Sequence, residues 1–384
     1  MRSLIRLAGS AAIAATAALA GPAGAAVAHR APAARGDRAL SGARDAVFVQ
    51  TDGLTGNQVV AYHRSAEGTL TPAGIYPTGG TGGQLVGSVV DHLASQGSLS
   101  YDPAHALLYA VNAGSSTVSV FGISGDRLAL RQVISSWGSF PVSIAVHGDL
   151  VYVLNAENGG SLHGYRVSAG RLAPIPGSGR ALGLDPTATP QFTNTPGQVA
   201  FSPDGSQLVV TTKANGNDIE VFGVTRGGLT GAPVVNAEPG AVPFGVTFDR
   251  AGDLVVAETG PNALATFALH SSGTVTLLSE APDGQSALCW VAPARGYLFA
   301  SNAGSGTVSA YAAGRDGQLA LAGATATDPG TVDAAASAGG RFLYVQTGGN
   351  GVVDEFAVGT HGGLRPVGSV TVPGAVGGEG IVAG

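Results

Sequence analysis

Residues 107–130 read LLYAVNAGSSTVSVFGISGDRLAL, and residues 297–321 read YLFASNAGSGTVSAYAAGRDGQLAL. Both run through the same parts in the same order: an apolar run closing on Asn, a Gly-rich turn, a second apolar run, then a turn leading into Leu. Seven copies can be anchored on the residue that closes the first run: Thr51, Asn112, Asn155, Thr212, Glu258, Asn302 and Thr347. The gaps between anchors run from 43 to 61 residues. Four of them sit near the ~40–50 residues of a four-stranded propeller blade, and the two long ones carry insertions. The apolar residues come in short runs and never settle into helical spacing, which excludes helical and leucine-rich repeats. Gly, Asn, Asp and Pro punctuate the runs, as in an all-β chain.

The expected fold is therefore an all-β, seven-bladed β-propeller of four-stranded antiparallel blades, with strands A to D counted outward from the axis. In the fourth copy the pattern predicts A at 198–201, B at 207–212, C at 219–224 and D at 229–235. In the fifth it predicts 245–248, 253–258, 263–269 and 275–279. The first copy begins at Ala46–Thr51, which matches strand B and has no strand A before it. The last residues, Glu379–Gly384, match strand A and have nothing after them. The C-terminus is expected to supply the missing inner strand and close the ring, removing two exposed edges. The insertions, residues 77–97 and 179–196, are D–A loops on the face where the strand-B ends point. Loops of that length are commonly functional, so this face is expected to bind, with the insertions as walls or lids.

Outside the repeats, Arg2 and Arg6 precede an apolar stretch, Leu7 to Ala20, followed by small residues with Ala-x-Ala sites. Residues 1–28 read as a secretory signal peptide, too short in its apolar core to anchor in a membrane. Residues 29–45 read as a flexible Ala-, Arg- and Gly-rich leader, and residues 46–384 as the propeller. A secreted, extracellular or cell-wall-associated protein without a membrane span follows. The chain carries a net charge of −6, and loss of Arg2 and Arg6 makes it more acidic still. Nucleic acid, which needs a basic surface, is excluded as a partner. Cys289 is the single cysteine, so there is no internal disulfide, and its apolar run (LCWVAP) reads as a strand with a buried thiol. Stability must come from the core, and the chain is expected to be a monomer. The 61 glycines suit many tight turns.

The phrases Tyr109–Phe121 (YAVNAGSSTVSVF) and Tyr152–Asn155 (YVLN) resemble the YVTN-type propeller repeat. With the Gly-x-Leu endings, such as Gly170–Leu172 and Gly317–Leu319, the chain looks like the seven-bladed lactonase family. That family includes propeller-type 6-phosphogluconolactonases and carboxymuconate cyclases. The resemblance implies a propeller acting on a small lactone or related carboxylate, as a carboxylic ester hydrolase or a cycloisomerase, in a central pocket of the top face. Members usually carry Arg-His before a phrase such as FSPDG, to hold a substrate anion and move a proton. Here Phe201–Gly205 matches the phrase, but Gly197 and Gln198 precede it. The family's Asn-Glu pair at the end of the next strand B is replaced by Thr212 and Lys213.

Several residues are singled out as candidates, most with a plainer alternative. Lys213, the single lysine, could bind an anion or act as a base once desolvated, or be a solvated loop residue. Glu258 ends a strand B and could serve a sugar-lactone or metal site together with Glu157. His92 in the first insertion could be a mobile general base, or a solvated loop histidine. Gln198 starts a strand A beside the channel. Asn112, Asn155 and Asn302 could contact substrate, or cap their own turns. Trp137 and Phe244 could stack on a planar or sugar ligand, or pack between blades. Asp333 and Glu379 start neighbouring inner strands and could hold Ca²⁺, or stand as separate acids in a hydrated channel. No other cofactor is expected. Two readings of function stay open. One is an exported lactonase-like enzyme with a small-molecule substrate. The other is a non-catalytic surface propeller binding a glycan, peptide or protein.

Overall fold

The last strand of the chain, Ile381–Ala383, pairs antiparallel with Ala46–Gln50, setting Ile381 opposite Val49 and Ala383 opposite Val47. This computed structural model describes residue 43 and residues 45–384. The expected signal peptide and most of the expected leader lie outside the described residues. Seven antiparallel sheets follow one another around a ring, each a meander of four main strands. The inner A strands, for blades 1 to 7, are Ile381–Ala383, Leu99–Asp102, Pro141–His147, Val199–Phe201, Pro243–Phe248, Leu288–Ala294 and Thr331–Ala336. The adjoining B strands are Ala46–Gln50, Leu107–Asn112, Leu150–Asn155, Gln207–Thr211, Leu254–Glu258, Tyr297–Asn302 and Phe342–Thr347. The ring closes as the repeat phase predicts, through the C-terminal strand. Among the described residues no helix is long and apolar enough to cross a membrane.

Burial follows strand position. The B strands are buried along almost their whole length, as in Leu107–Asn112 and Phe342–Thr347. A sheet covered on both faces needs apolar residues on both, which is why these segments read as continuous runs instead of alternating ones. The outer strands alternate, as in Arg127–Ser135, because one edge and part of each face meet water. Buried tyrosines fasten the seams between blades. The Tyr165 hydroxyl donates to Ser135 O at 2.7 Å, Tyr311 to Ala281 O at 3.1 Å and Tyr344 to Gly68 O at 2.9 Å. Each links one blade to the next, giving the ring an apolar ring face and a satisfied polar tip in the same side chain.

Two segments differ from expectation. The outer strand of blade 4 is Val234–Ala237 and not residues 229–235. Thr230 makes an isolated bridge to Val224 instead, and Pro233 has no N–H to donate to a ladder. The second insertion is also not wholly loop. Arg180–Ala181 pairs with Ser161–Leu162 as a fifth strand on blade 3, and Gln191–Thr193 forms one 3-10 turn.

Deleting Glu379–Gly384 removes strand A of blade 1 and uncovers Phe48 and Val49, both fully buried. The truncated protein is expected to lose its cooperative thermal transition. Ile381→Ala, a milder change at a buried site, is expected to cost about 2–5 kcal/mol in urea unfolding. A truncated chain that melts with the intact one would mean that the C-terminal strand does not close the ring.

Candidate active site

The axis of the ring is filled by the chain itself. Residues 91–97 of the first insertion turn inward and bond to the inner strands of distant blades. The Ser95 hydroxyl donates to Val142 O at 2.9 Å, and the Trp290 indole N–H donates to Ser95 O at 2.6 Å. The Gln96 side-chain amide donates to Val291 O at 2.8 Å and accepts from Val291 N at 3.1 Å. Gln96 N donates to Gly197 O at 3.1 Å, and the Gly97 N–H donates to a Glu379 carboxyl oxygen at 2.9 Å. A Cβ on Gly245 would stand 2.2 Å from Gln96 Oε1, so glycine there lets the inserted segment come close. The expected wall or lid is instead a plug, and the expected central pocket of the top face is occupied.

This corrects the placement of several candidates. Lys213, read as an anion binder, a base once desolvated or a solvated loop residue, is desolvated, its side chain buried within the plug's contacts. Its Nζ donates to Ala94 O and Phe192 O, both at 2.6 Å, and to Thr195 Oγ1 at 3.1 Å. Those three acceptors use all the N–H bonds of an ammonium. The Nζ also stands 5.2 Å from the centroid of the Phe244 ring. Burial pulls the amine's pKa down, and the nearby Asp91 carboxylate opposes this. Lys213 thus ties both insertions to blade 4. Phe244 is buried, edge-on to Trp290 with ring centroids 5.1 Å apart. Gln198 is a strap between blades 4 and 5, its Oε1 accepting from Val246 N at 2.6 Å. A Cβ on Gly197 would lie 2.9 Å from Thr211 Oγ1 and 3.0 Å from Phe244 O. The position that holds arginine in the lactonase pattern has no room here for a side chain.

Asn112, Asn155 and Asn302 are fully buried and tie down their own turns. Asn112 Nδ2 donates to Ser119 Oγ at 2.8 Å, and Asn302 Nδ2 donates to Ser309 Oγ at 2.9 Å. Asn155 Nδ2 donates to Ser136 O and Ser161 O, both at 3.4 Å. Trp137 is exposed on the rim, with a positive φ of 59°. His92 donates its backbone N–H to Gly377 O at 2.8 Å, and burial lowers the pKa of its ring. It is packed in place and not mobile over a pocket. Cys289 is buried, and its thiol is pushed up to about 12 by that burial.

Asp333 and Glu379 do meet at the axis, but backbone amides occupy them. Asp333 accepts from Ala334 N at 2.9 Å and Ile381 N at 3.4 Å. Glu379 accepts from Gly97 N, and its own N–H donates to Asp52 at 2.8 Å. Burial raises both side-chain pKa values, and each acid hydrogen-bonds or repels the other. Among the described residues no three His, Cys, Asp or Glu side chains are arranged to hold a metal ion. Asp52 was not singled out in the sequence. Its pKa is pushed up to about 7 by burial, against the stabilising bonds from Glu379 N and Gln50.

Glu258 is placed differently. It ends strand B of blade 5 and lines a recess of about 430 Å³ on the insertion-bearing face. Its partner there is not Glu157, which lines a separate, much smaller hollow and accepts from Ser139 Oγ at 2.7 Å. The recess is lined instead by Glu238 and Glu280, with Pro239, Pro261 and Leu277. The Glu258 side chain is 3% exposed and has no hydrogen-bond partner among the described residues. Its pKa is pushed up to about 8, first by burial and then by the charges of Glu280 and Glu238. Glu238 is also raised, by burial and by Glu280. The sheet register could have revealed the cluster: Glu258 lies opposite Ala263, Ala263 opposite Pro282, and Glu280 stands two residues back on the same face.

Residues 81–256 match the family model described as lactonase, 7-bladed beta-propeller. The resemblance carried by the repeat phrases is therefore shown, and the matched stretch runs from the first insertion to strand B of blade 5. No curated protein sequence matches the chain. The periplasmic gluconolactonase PpgL of Pseudomonas aeruginosa superposes with a TM-score of 0.71 at 18% identity, over 88% of this chain and 98% of that one. A provisionally assigned 6-phosphogluconolactonase of Bacteroides fragilis gives 0.70 at 16% identity, over 86% and 96%. Virginiamycin B lyase of Staphylococcus aureus gives 0.53 at 12%, over 75% and 88%. These likenesses are of fold. The chain has the same kind of fold, with Gly197 and Gln198 ahead of Phe201–Gly205 and with its axis plugged.

Asp52 provides a test of the buried centre. Its folded pKa lies above the unfolded 3.8. Its contribution to stability is therefore complete below about pH 4 and is lost as pH rises through about 7. A shift of that size corresponds to roughly 4 kcal/mol at most. The melting temperature is expected to fall between pH 5 and 8, and Asp52→Asn is expected to flatten that fall. An unchanged slope in the variant would show that Asp52 is not the group titrating.

Proposed function

We propose that the protein is a lactonase hydrolysing neutral cyclic esters of sugar-lactone size, with Glu258 as general acid in the recess of blade 5. The observation that carries this reading is the Glu258 carboxyl itself, buried, free of hydrogen-bond partners and lining a recess large enough for such a ligand. The lactonase family match supports the reaction class. With a pKa near 8, Glu258 holds a proton at neutral pH and can give it up, while the more exposed Glu238 or Glu280 acts as carboxylate. Two acids of unequal environment are the usual means of running acid and base chemistry side by side.

In this scheme a carboxylate of Glu238 or Glu280 takes a proton from water as the water oxygen attacks the ester carbonyl. The ring C–O bond then breaks, and Glu258 delivers its proton to the departing ring oxygen. The product is a hydroxy acid. Glu238 or Glu280 then passes its proton back to Glu258, directly or through water. The product's own ionisation releases a proton to solvent and leaves an anion that the ionised glutamates repel, which favours its release. The same repulsion disfavours a phosphorylated lactone as substrate. Export belongs to the proposal as well, supported by the charged, apolar and small-residue order of residues 1–28. A small-molecule substrate and action as a monomer complete it.

Glu258→Gln is expected to lower kcat on glucono-δ-lactone by about 10²–10⁴-fold while leaving the melting temperature at or above its original value. In the unsubstituted enzyme, kcat is expected to fall as pH rises through about 8, because the proton-bearing form of Glu258 is then lost. Full activity in the variant, or no turnover of any neutral lactone, would defeat the proposal. A second expectation concerns charge. At low ionic strength kcat/KM for 6-phosphogluconolactone is expected to be at least about tenfold below that for the neutral lactone. Equal or better use of the phosphorylated substrate would show that the glutamates do not face it.

A further inference from the structure

The face opposite the insertions carries a larger hollow, of about 950 Å³, at the A–B turns of blades 5, 6 and 7. Three arginines line it: Arg250 from the turn of blade 5, Arg295 from that of blade 6, and Arg315 from the C–D turn of blade 6. All three are exposed, and none forms an ion pair among the described residues. The A–B turns of blades 3 and 4 carry Asp149 and Asp204 instead, and the arginines at the C–D turns of blades 2, 3 and 4, Arg127, Arg171 and Arg226, do not line this hollow.

The acids nearby are bonded to backbone amides and not to these arginines. Asp249 is the one acid that lines the hollow among the described residues, and its Oδ1 is engaged by Ala251 N at 2.8 Å and Asp253 N at 2.9 Å. Asp316, next to Arg315, turns back to accept from Gln318 N at 3.3 Å. The scaffold also holds the arginines in place. Arg295 has a positive φ of 48° and donates from Nη1 to Val358 O at 3.0 Å, which fixes its direction while leaving four other N–H bonds. The Arg250 guanidinium lies against Gly296, where a Cβ would stand 2.8 Å from its Cζ. The hollow is also within the size range of small-ligand sites.

We propose that this hollow is a second ligand site, separate from the Glu258 recess, which takes a small molecule bearing two or three oxyanion groups. Guanidinium forks pair in two-point fashion with carboxylate and phosphate alike. Three forks from three turns around one hollow select for several such groups on a single molecule over one isolated anion. Phosphate esters and polycarboxylic acids share this chemistry, and the test separates them.

The experiment is calorimetric titration of the full chain, at about 50 mM ionic strength, with tripolyphosphate, citrate and glucose as probes. Tripolyphosphate, citrate or both are expected to bind at one site with sub-millimolar affinity, and glucose is not. The anion that binds more tightly identifies phosphate or carboxylate as the natural group. Arg250→Ala/Arg315→Ala, at two exposed positions, is expected to weaken binding at least tenfold with an unchanged melting temperature. Arg127→Ala/Arg171→Ala, which removes two arginines elsewhere, is expected to leave it unchanged. Absence of anion binding to the unsubstituted protein would overturn the proposal. So would equal losses in the two double variants, which would reduce the effect to overall charge. Lactone turnover is read separately, so failure of either site leaves the other standing.

Discussion

Pairing of Ile381–Ala383 with Val47–Val49 holds the end of the propeller to its beginning, and every other feature presupposes it. A meander of seven sheets has two free inner edges unless something joins them. Here the join is a three-residue ladder with Ile381 buried against Val49. It also places Glu379 at the axis, where that residue meets Asp333, Asp52 and the Gly97 amide. The closure and the filling of the channel are thus one arrangement, because the residue just before the closing strand is also an anchor for the plug.

The centre thereby gathers Asp52, Asp91, Asp333 and Glu379 within reach of one another, with Lys213 beside Asp91. Four ionised acids could not be buried there together. The arrangement works because burial raises their pKa values, so that protons are shared, and because backbone N–H groups approach the remaining charge. Glu258 obeys the same rule with the opposite outcome. It is also buried and also holds its proton, but no amide approaches it, and it faces an open recess. Hydrogen bonding separates a structural acid from one available for chemistry, although burial and pKa direction are alike in both.

Much of the fold was legible in the chain. The seven anchors, the strand order within a blade and the closing role of the last residues follow from the phase of the repeat, since apolar runs between turn residues leave few other ways to pair. Position along the axis was less legible. Lys213, Gln198 and the three asparagines were singled out because they fall at the ends of strands, and strand ends can line a pocket. What buries them is residues 91–97, a segment with no repeat counterpart, whose inward turn depends on contacts with blades far away in sequence. Glu238 and Glu280 are not legible in the sequence for a related reason. They matter through cross-strand and loop neighbours of Glu258, not through the repeat phrase. The arginines at the turns of blades 5 and 6 carry no mark in the sequence, because turn residues look alike until three turns stand around one hollow.

The plug has a kinetic consequence as well. Gln96 bonds to Val291, 195 positions along the chain, and Gly97 to Glu379, 282 positions along. Contacts of such sequence separation carry a high loop-closure cost and slow folding. Residues 91–97 have no complete socket until blades 1, 3, 4 and 6 stand together. Synthesis delivers the segment early, while Glu379, which accepts from the Gly97 amide, comes among the last six residues. The plug's full set of partners therefore exists only once the last strand of the chain has been made.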